Sequence, residues 1–301
     1  MLDSSEAKRM LLIINPVSGK KLAQRSLPEV IKLFSDGGYF VTVMATSRRG
    51  DATAFAAQYG GDFDLIVCVG GDGTLNEVVT GMVEKRVDTP LGYIPAGSTN
   101  DFAACHKLSS DMITAAQNIL GGSPAQFDVG RFGDAYFNYV AAFGAFSWLS
   151  YTTPQNLKNV FGHSAYIMDA VKDLPRVKSE WLSFSAGGQT YQGNFIFGAI
   201  CSSTSVAGVF ELPENIVDTC DGMFEVLLIH EPPTIIDYQN IIRSMLEKDY
   251  DSNPYIEFFQ ASRLTVDSRK KHTDWSLDGE HAVAAQNMAV EILRGVVTLI
   301  S

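Results

Sequence analysis

The chain has 301 residues, 46% of them hydrophobic and 19% charged, with a formal net charge of −11. Such a composition suits one large or two medium globular domains with real cores. The negative charge argues against binding nucleic acid and against a strong general attraction to anionic membranes, leaving only local basic patches.

Four cysteines, Cys68, Cys105, Cys201 and Cys220, are scattered without a CxxC pair, and five histidines are equally dispersed. Reduced thiols in a cytoplasm and no zinc-type cluster are expected. The polar, mixed-charge start is followed by an apolar run, residues 10–14, too short for a signal-peptide core. No segment reaches the roughly 20 apolar residues that span a bilayer. A cytoplasmic protein follows, with membrane contact only peripheral.

Residues 10–14 read as a first strand, followed by the loop Asn15-Pro16-Val17-Ser18-Gly19-Lys20. A helix over 22–37 carries Ala23, Leu27, Val30, Ile31 and Phe34 on one stripe and stops at Gly37-Gly38. A second strand, 39–44, ends near Thr46. A helix over 51–59, a strand over 65–69, a helix over 76–84 and a strand over 91–94 follow. This alternation predicts a parallel sheet with helices on both faces, whose ligands sit at the carboxyl ends of the strands. The loops at Asn15, Thr46, Gly70 and Pro95 would gather there.

After a helix over 109–120 the texture changes. Strand-like runs at 127–132, 135–143, 181–185, 189–200, 224–229 and 255–266 predict a mainly antiparallel β-sandwich or barrel-like second domain. Helical stretches at 156–174 and 235–246 interrupt it. The expected division is an α/β nucleotide-binding domain over 1–126 and a β-rich domain over 127–287. The apolar segment 288–301 could close either, and is a candidate for completing the first.

The organising stretch is Val67-Cys68-Val69-Gly70-Gly71-Asp72-Gly73-Thr74-Leu75-Asn76-Glu77. A buried strand runs into three glycines and an aspartate, and then a helix begins. Glycines let a ligand approach the backbone, and amides at a helix start bind anions. Asp72 would repel a phosphate unless a cation sat between them, so the stretch reads as a phosphate-plus-metal site. Lys20 could reach phosphates or be a solvated lysine beside Lys21. Asn15 could bond a ligand or only form a turn. Thr46 and Thr74 each offer a hydroxyl to a phosphate or cap a helix.

Four motifs then occur in one order: Asn15-Pro-x-Ser-Gly-Lys20, Gly70-Gly-Asp-Gly-Thr74 with Asn76-Glu77, Pro95-x-Gly97-Ser98-Thr99-Asn100-Asp101-Phe102-Ala103, and Leu277-Asp278-Gly279-Glu280. The set resembles the diacylglycerol kinase catalytic family in its soluble bacterial form, which is related to sphingosine and ceramide kinases. The Gly-Gly-Asp-Gly loop alone is shared with NAD kinases and 6-phosphofructokinases. The resemblance covers nearly the whole chain.

That resemblance implies an ATP- and Mg²⁺-dependent kinase acting on the hydroxyl of diacylglycerol or a related lipid alcohol. Asn15, Thr46, Gly70, Gly71, Gly73, Thr74, Gly97, Ser98 and Asn100 would contact the nucleotide. Lys20, Asp72 and Asp101 would serve the active site, with Asp72 at Mg²⁺. Glu280 would be the general base, taking the proton of the attacking hydroxyl; an ordinary hairpin turn is the plainer reading of Asp-Gly-Glu. A structural Mg²⁺ is implied at Asp218 and Asp221 with the Met223 carbonyl, although Cys220 stands at an aspartate position of the family pattern.

The aromatic residues Tyr139, Phe143, Phe146, Trp148 and Tyr151 are candidates for a lipid cleft, with core packing as the alternative. Arg176, Lys178 and Arg269-Lys270-Lys271-His272 are candidate headgroup contacts or plain solvated surface. A second copy of the chain is the other candidate partner. Two rival readings stay open: a soluble-metabolite kinase such as an NAD kinase, and a non-catalytic nucleotide- or lipid-binding regulator.

Overall fold

The computed structural model describes residues 8–144, 178–203, 205, 206, 210, 211 and 220–301. The chain forms two compact units. One comprises residues 1–129 and 293–301, the other residues 130–292.

In the first unit, β1 (Lys8–Ile14), β2 (Tyr39–Ala45), β3 (Leu65–Gly70) and β4 (Leu91–Pro95) alternate with helices. These are α1 (Leu22–Asp36), α2 (Asp51–Tyr59), α3 (Asp72–Lys85), α4 (Asp101–Cys105) and α5 (Met112–Gly121). The strands pair in parallel in the order β4-β3-β1-β2. The end of β15 (Glu280–Ile300) adds a fifth parallel strand, with Leu299 opposite Leu91 and Ile300 opposite Gly92.

Residues Leu65 to Gly70 are buried throughout, as a central strand covered on both faces requires. Met10, Leu12, Ile14, Leu65, Val67 and Val69 pack with Ala23, Val30 and Phe34 of α1 and Met112, Ala115, Ala116 and Ile119 of α5. The intervening Leu11, Ile13, Ile66 and Cys68 are equally buried, because successive side chains point to opposite faces.

α2 and α3 pack backbone against backbone. A Cβ on Gly81 would lie 2.3 Å from the Thr53 carbonyl oxygen and 3.0 Å from the Ala57 nitrogen. Buried Ala52 and Ala56 keep α2 narrow on its inner side.

The C-terminal segment is tied into this unit at both ends. Ser123 N–H donates to the Ser301 carbonyl at 3.1 Å. Gly295 N–H donates to the buried Asp128 carboxylate at 2.7 Å.

The second unit is built of antiparallel strands. They are β6 (Ala135–Phe137), β7 (Val140–Gly144), β8 (Glu180–Ala186), β9 (Gln189–Cys201), β12 (Phe224–His230), β13 (Ile256–Ala261) and β14 (Arg263–Leu277), with the start of β15. β5 (Pro124–Phe132) enters from the first unit, and β10 (Ser205–Val206) and β11 (Phe210–Glu211) form a small separate pair. Strand order runs β13-β12-β9-β7-β14-β15, with β5 on β15 and β6 on β5. β8 pairs with both β9 and β14.

The second unit's sheet curls on itself. Phe137 on β6 stacks on Phe224 of β12 with centroids 5.5 Å apart, although many strands separate them along the pairing path. The enclosed core includes Phe143, Phe184, Phe195, Leu228, Val266 and Trp275. One long helix, α6 (Ile235–Glu247), follows β12, its N-terminus capped by Thr234. The expected helix over 156–174 lies outside the described residues. Among the described residues no helix is long and apolar enough to cross a membrane.

Gly81 yields a test of the α2–α3 packing. An exposed helical Gly→Ala change stabilises by about 1 kcal/mol. Gly81→Ala is expected to destabilise instead, by about 1–3 kcal/mol, since its methyl group meets backbone that cannot rotate away. Urea unfolding of the two proteins measures the sign.

Candidate active site

The helix of the organising stretch begins earlier than its sequence suggests. α3 starts at Asp72, with Gly71 as the N-cap in extended conformation and no side-chain cap. The Gly-Gly-Asp-Gly segment is therefore a strand end and a first helical turn, not a loop before a helix at Asn76. Thr74 does not cap this helix. It is a buried residue of the first turn, and its hydroxyl accepts from the Asn15 side-chain amide at 3.2 Å. A Cβ on Gly70 would lie 2.6 Å from the Thr74 Cβ. The amides of Asp72 and Gly73 precede the first bonds of α3, which Thr74 N–H and Leu75 N–H make to the Gly71 carbonyl, each at 3.0 Å, and a helix start of this kind makes a ready anion site.

Three loops interlock around this point. A Cβ on Gly97 would lie 2.5 Å from the Gly71 Cα. Gly19 has φ +52°, and a Cβ on it would lie 2.1 Å from the Ala96 carbonyl oxygen. The loops after β1, β3 and β4 thus touch through their backbones.

Asn100 shapes the third loop. It sits at φ 56°; its side-chain oxygen accepts from Gly97 N–H at 2.8 Å, and its amide donates to the Gly97 carbonyl at 3.1 Å. Tyr93 buttresses the floor, its hydroxyl donating to the Gly70 carbonyl at 3.2 Å. Asn15 Oδ1 accepts from Val17 N–H at 3.1 Å. Thr46 N–H donates to the Ile14 carbonyl at 2.9 Å, which seats the loop after β2 beside the loop after β1.

Asp72 holds the arrangement together. One carboxylate oxygen accepts from Asp101 N–H and the other from Phe102 N–H, each at 3.1 Å. Asp72 therefore caps the start of α4 while standing in the first turn of α3. Burial pushes its carboxyl above the usual range, and the backbone N–H groups of Phe102, Asp101 and Asn100 pull the other way. A partly desolvated carboxylate of this kind gains from a nearby cation.

The structure brings Asn15, Thr46, Gly70, Gly71, Asp72, Gly73, Thr74, Gly97, Ser98, Asn100 and Asp101 to the loops at the carboxyl ends of one parallel sheet. Lys20 lies in a 3-10 turn, Ser18–Lys21, and its side chain is outside the described ones. Sequence reasoning gave no role to Tyr93 or Asp128 and read Asp278 only as part of a turn; each acts through a tertiary hydrogen bond that no local pattern announces.

Glu280 belongs to the second unit. It is exposed, at the first position of β15. The preceding Asp278-Gly279 turn has φ 48° and 84°, the backbone of a two-residue hairpin. Asp278 is buried and clamps that turn to the start of β7. Its carboxylate accepts from Asn138 N–H at 2.5 Å, Tyr139 N–H at 3.0 Å and Val140 N–H at 3.1 Å. The position of Glu280 is thereby set by its neighbour but one.

Asp221 accepts from Met223 N–H at 2.8 Å within a tight turn at Gly222, φ 81°. Asp218 lies outside the described residues. Among the described residues no cluster of three or more His, Cys, Asp or Glu could hold a metal ion.

The lipid-cleft expectation needs correcting in part. Tyr139 is buried, and Phe143 is a core residue whose ring packs at a tilt against Trp275, centroids 4.8 Å apart. The reason is that β7 runs between β9 and β14. Phe146, Trp148, Tyr151 and Arg176 lie outside the described residues. Lys178, Lys271 and His272 are exposed, Lys270 meets Glu180, and Arg269 lies 4.0 Å over the Trp181 ring.

Residues 9–132 match the family model of the diacylglycerol kinase catalytic domain. A diacylglycerol kinase of Staphylococcus saprophyticus is 32% identical over 278 residues, which cover 91% of this chain and 89% of the relative. This chain belongs to the diacylglycerol kinase family. A second relative, the diacylglycerol kinase of Bacillus subtilis, is 31% identical over 277 residues, covering 91% of this chain and 90% of its own. The fold is shared with the crystal structure of a diacylglycerol kinase from Bacillus anthracis. There the TM-score is 0.76 at 20% identity, over 98% of this chain and 97% of the other.

Two expectations follow. Asp278→Ala leaves three buried amides without their acceptor and should cost at least about 2 kcal/mol in a denaturant titration. The second concerns His106, whose ring packs at a tilt against Phe102 with centroids 4.2 Å apart. Burial pushes its pKa from 6.5 down to about 4. The unfolded chain binds this proton at the ordinary value and the folded chain does not. Stability should therefore fall as pH drops through the window from 6.5 to about 4. In His106→Phe that slope should be shallower, read from melting temperatures across the window.

Proposed function

We propose that the chain is an ATP-dependent lipid kinase that phosphorylates the hydroxyl of diacylglycerol or a close lipid alcohol. Family membership supports the reaction class. The observation that carries the site is the half-buried Asp72 carboxylate, set in the first turn of α3 and capping α4 where three post-strand loops interlock. On this reading the parallel-sheet unit is the nucleotide domain, with the architecture of NAD kinases and diacylglycerol kinases. The curled antiparallel unit is the lipid domain, a sandwich.

The phosphates of ATP would lie against the first amides of α3, beside Gly70, Gly71, Gly73, Thr74, Gly97, Ser98 and Asn100. Asn15 and Thr46 would border them, and Lys20 would contribute a cation. Asp72 and Asp101 offer the oxygen donors that Mg²⁺ prefers. An ion held by one or two carboxylates and the substrate's phosphates needs no larger protein cluster. When bound, Mg²⁺ neutralises charge on the phosphates.

Glu280 would accept the proton of the lipid hydroxyl as its oxygen attacks the γ-phosphorus. Asp278 would hold Glu280 in place. Catalysis would rest on positioning and charge neutralisation. Asp218, Asp221 and the Met223 carbonyl remain the proposed second Mg²⁺ site. Contact with a membrane would be peripheral, because the acceptor is a lipid.

The deciding experiment supplies labelled ATP and Mg²⁺ with diacylglycerol in mixed micelles, with a total lipid extract, and with NAD. Labelled lipid and unlabelled NAD are expected. Glu280→Ala and Asp72→Ala should each lower lipid phosphorylation by at least about a hundredfold, with circular dichroism showing both proteins folded. Full activity in either folded variant would sink the mechanism, and label on NAD alone would replace the lipid by a soluble acceptor.

A further inference from the structure

Glu77 stands on α3, one residue beyond Asn76 in the motif, and the mechanism above gives it no task. Its carboxylate reaches across to another element. One oxygen accepts from Gly50 N–H at 2.9 Å and the other from Ala52 N–H at 3.2 Å. Gly50 is the N-cap of α2, at φ 88°, and has no side chain with which to cap. Glu77 supplies the missing cap from a different helix.

The placement is forced by packing. Gly81 lies four residues beyond Glu77, on the same face of α3, and it is where α2 presses backbone against backbone. One face of α3 thus carries a carboxylate for the start of α2 and a gap for its middle.

The segment clamped in this way is the loop after β2. It begins at Thr46, which is seated on Ile14. It is held from its own side by Asp51, whose carboxylate accepts from Ser47 N–H at 2.8 Å and Arg48 N–H at 3.0 Å. Asp51 and Glu77 together bind four backbone amides between Ser47 and Ala52. The loop would otherwise be an exposed run through a glycine. Instead it is pinned to α3, the helix whose first turn is the proposed phosphate site.

We propose that Glu77 is a positioning residue for nucleotide binding. It fixes the loop from Thr46 to Gly50 as the wall that receives the part of ATP beyond its phosphates, at a set distance from the start of α3. The proposal rests on the reading of the first unit as the ATP site. Glu77 acts through the backbone of Gly50 and Ala52, so its loss should weaken the nucleotide without touching the chemical step.

The test compares Glu77→Gln with Glu84→Gln, an exposed residue of the same helix. The dissociation constant for ATP with Mg²⁺ is measured by titration without lipid, and kcat and both KM values by lipid phosphorylation. For Glu77→Gln, ATP affinity should weaken about tenfold in titration and in KM, the scale of a small misplacement. Its kcat and its lipid KM should stay within twofold, and Glu84→Gln should match the wild type.

Asp51→Asn loosens the same loop from its other side and should shift ATP affinity in the same direction. It decides the question if Glu77→Gln does not fold. Unchanged ATP affinity in a folded Glu77→Gln overturns the proposal. So does unchanged affinity in Asp51→Asn where that variant decides, or a fall in kcat at unchanged ATP affinity. A wild-type protein that binds ATP but labels no lipid would overturn the acceptor reading alone, because the titration still decides the role of Glu77.

Discussion

At the carboxyl ends of the parallel strands, Gly97 lies so close to Gly71 that a Cβ on it would be 2.5 Å from the Gly71 Cα. Most of the site depends on this contact. It brings the loop after β4 down onto the strand end that precedes α3. Only then can Asp72, in the first turn of α3, reach the amides that open α4. The glycines are needed for proximity as much as for conformation. Gly71 has a φ of −90° that any residue could adopt, but a side chain there would part the two loops.

A second theme is the use of carboxylates as staples between segments remote in sequence. Asp72 joins α3 to α4, Glu77 joins α3 to α2, Asp128 holds the final strand through Gly295, and Asp278 holds the start of β7. In each case the acceptor meets backbone N–H groups, which need partners when withdrawn from water. Acceptors with two oxygens suit amides that come in pairs or threes. These staples make loops rigid without helices or strands of their own, and a phosphoryl-transfer site relies on such rigidity.

The same principle separates the two acidic motifs by role. In Asp-Gly-Glu, the aspartate is buried and spent on three amides, while the glutamate is exposed at the start of β15. In Gly-Gly-Asp-Gly, one half-buried aspartate serves as both helix cap and charge. Burial and backbone amides act on its proton affinity in opposite directions, and a cation would shift the balance toward the ionised form.

The sequence by itself determined the alternation of strands and helices in the first unit, the β-rich character of the second, and the sheet end at which the motif residues collect. Those features follow from local periodicity and from glycine placement, which act over a few residues. It also carried the four motifs that mark the family. Only the tertiary structure decided that α3 begins at Asp72, that Thr74 is bonded to Asn15, and that Phe143 belongs to a core. The same holds for the amides that Glu77 and Asp278 bind. These outcomes depend on groups brought together from distant parts of the chain, such as Asp278 and Val140 at 3.1 Å. No short stretch of sequence encodes which amide will be left needing an acceptor, because that is settled by where the strands and helices come to rest.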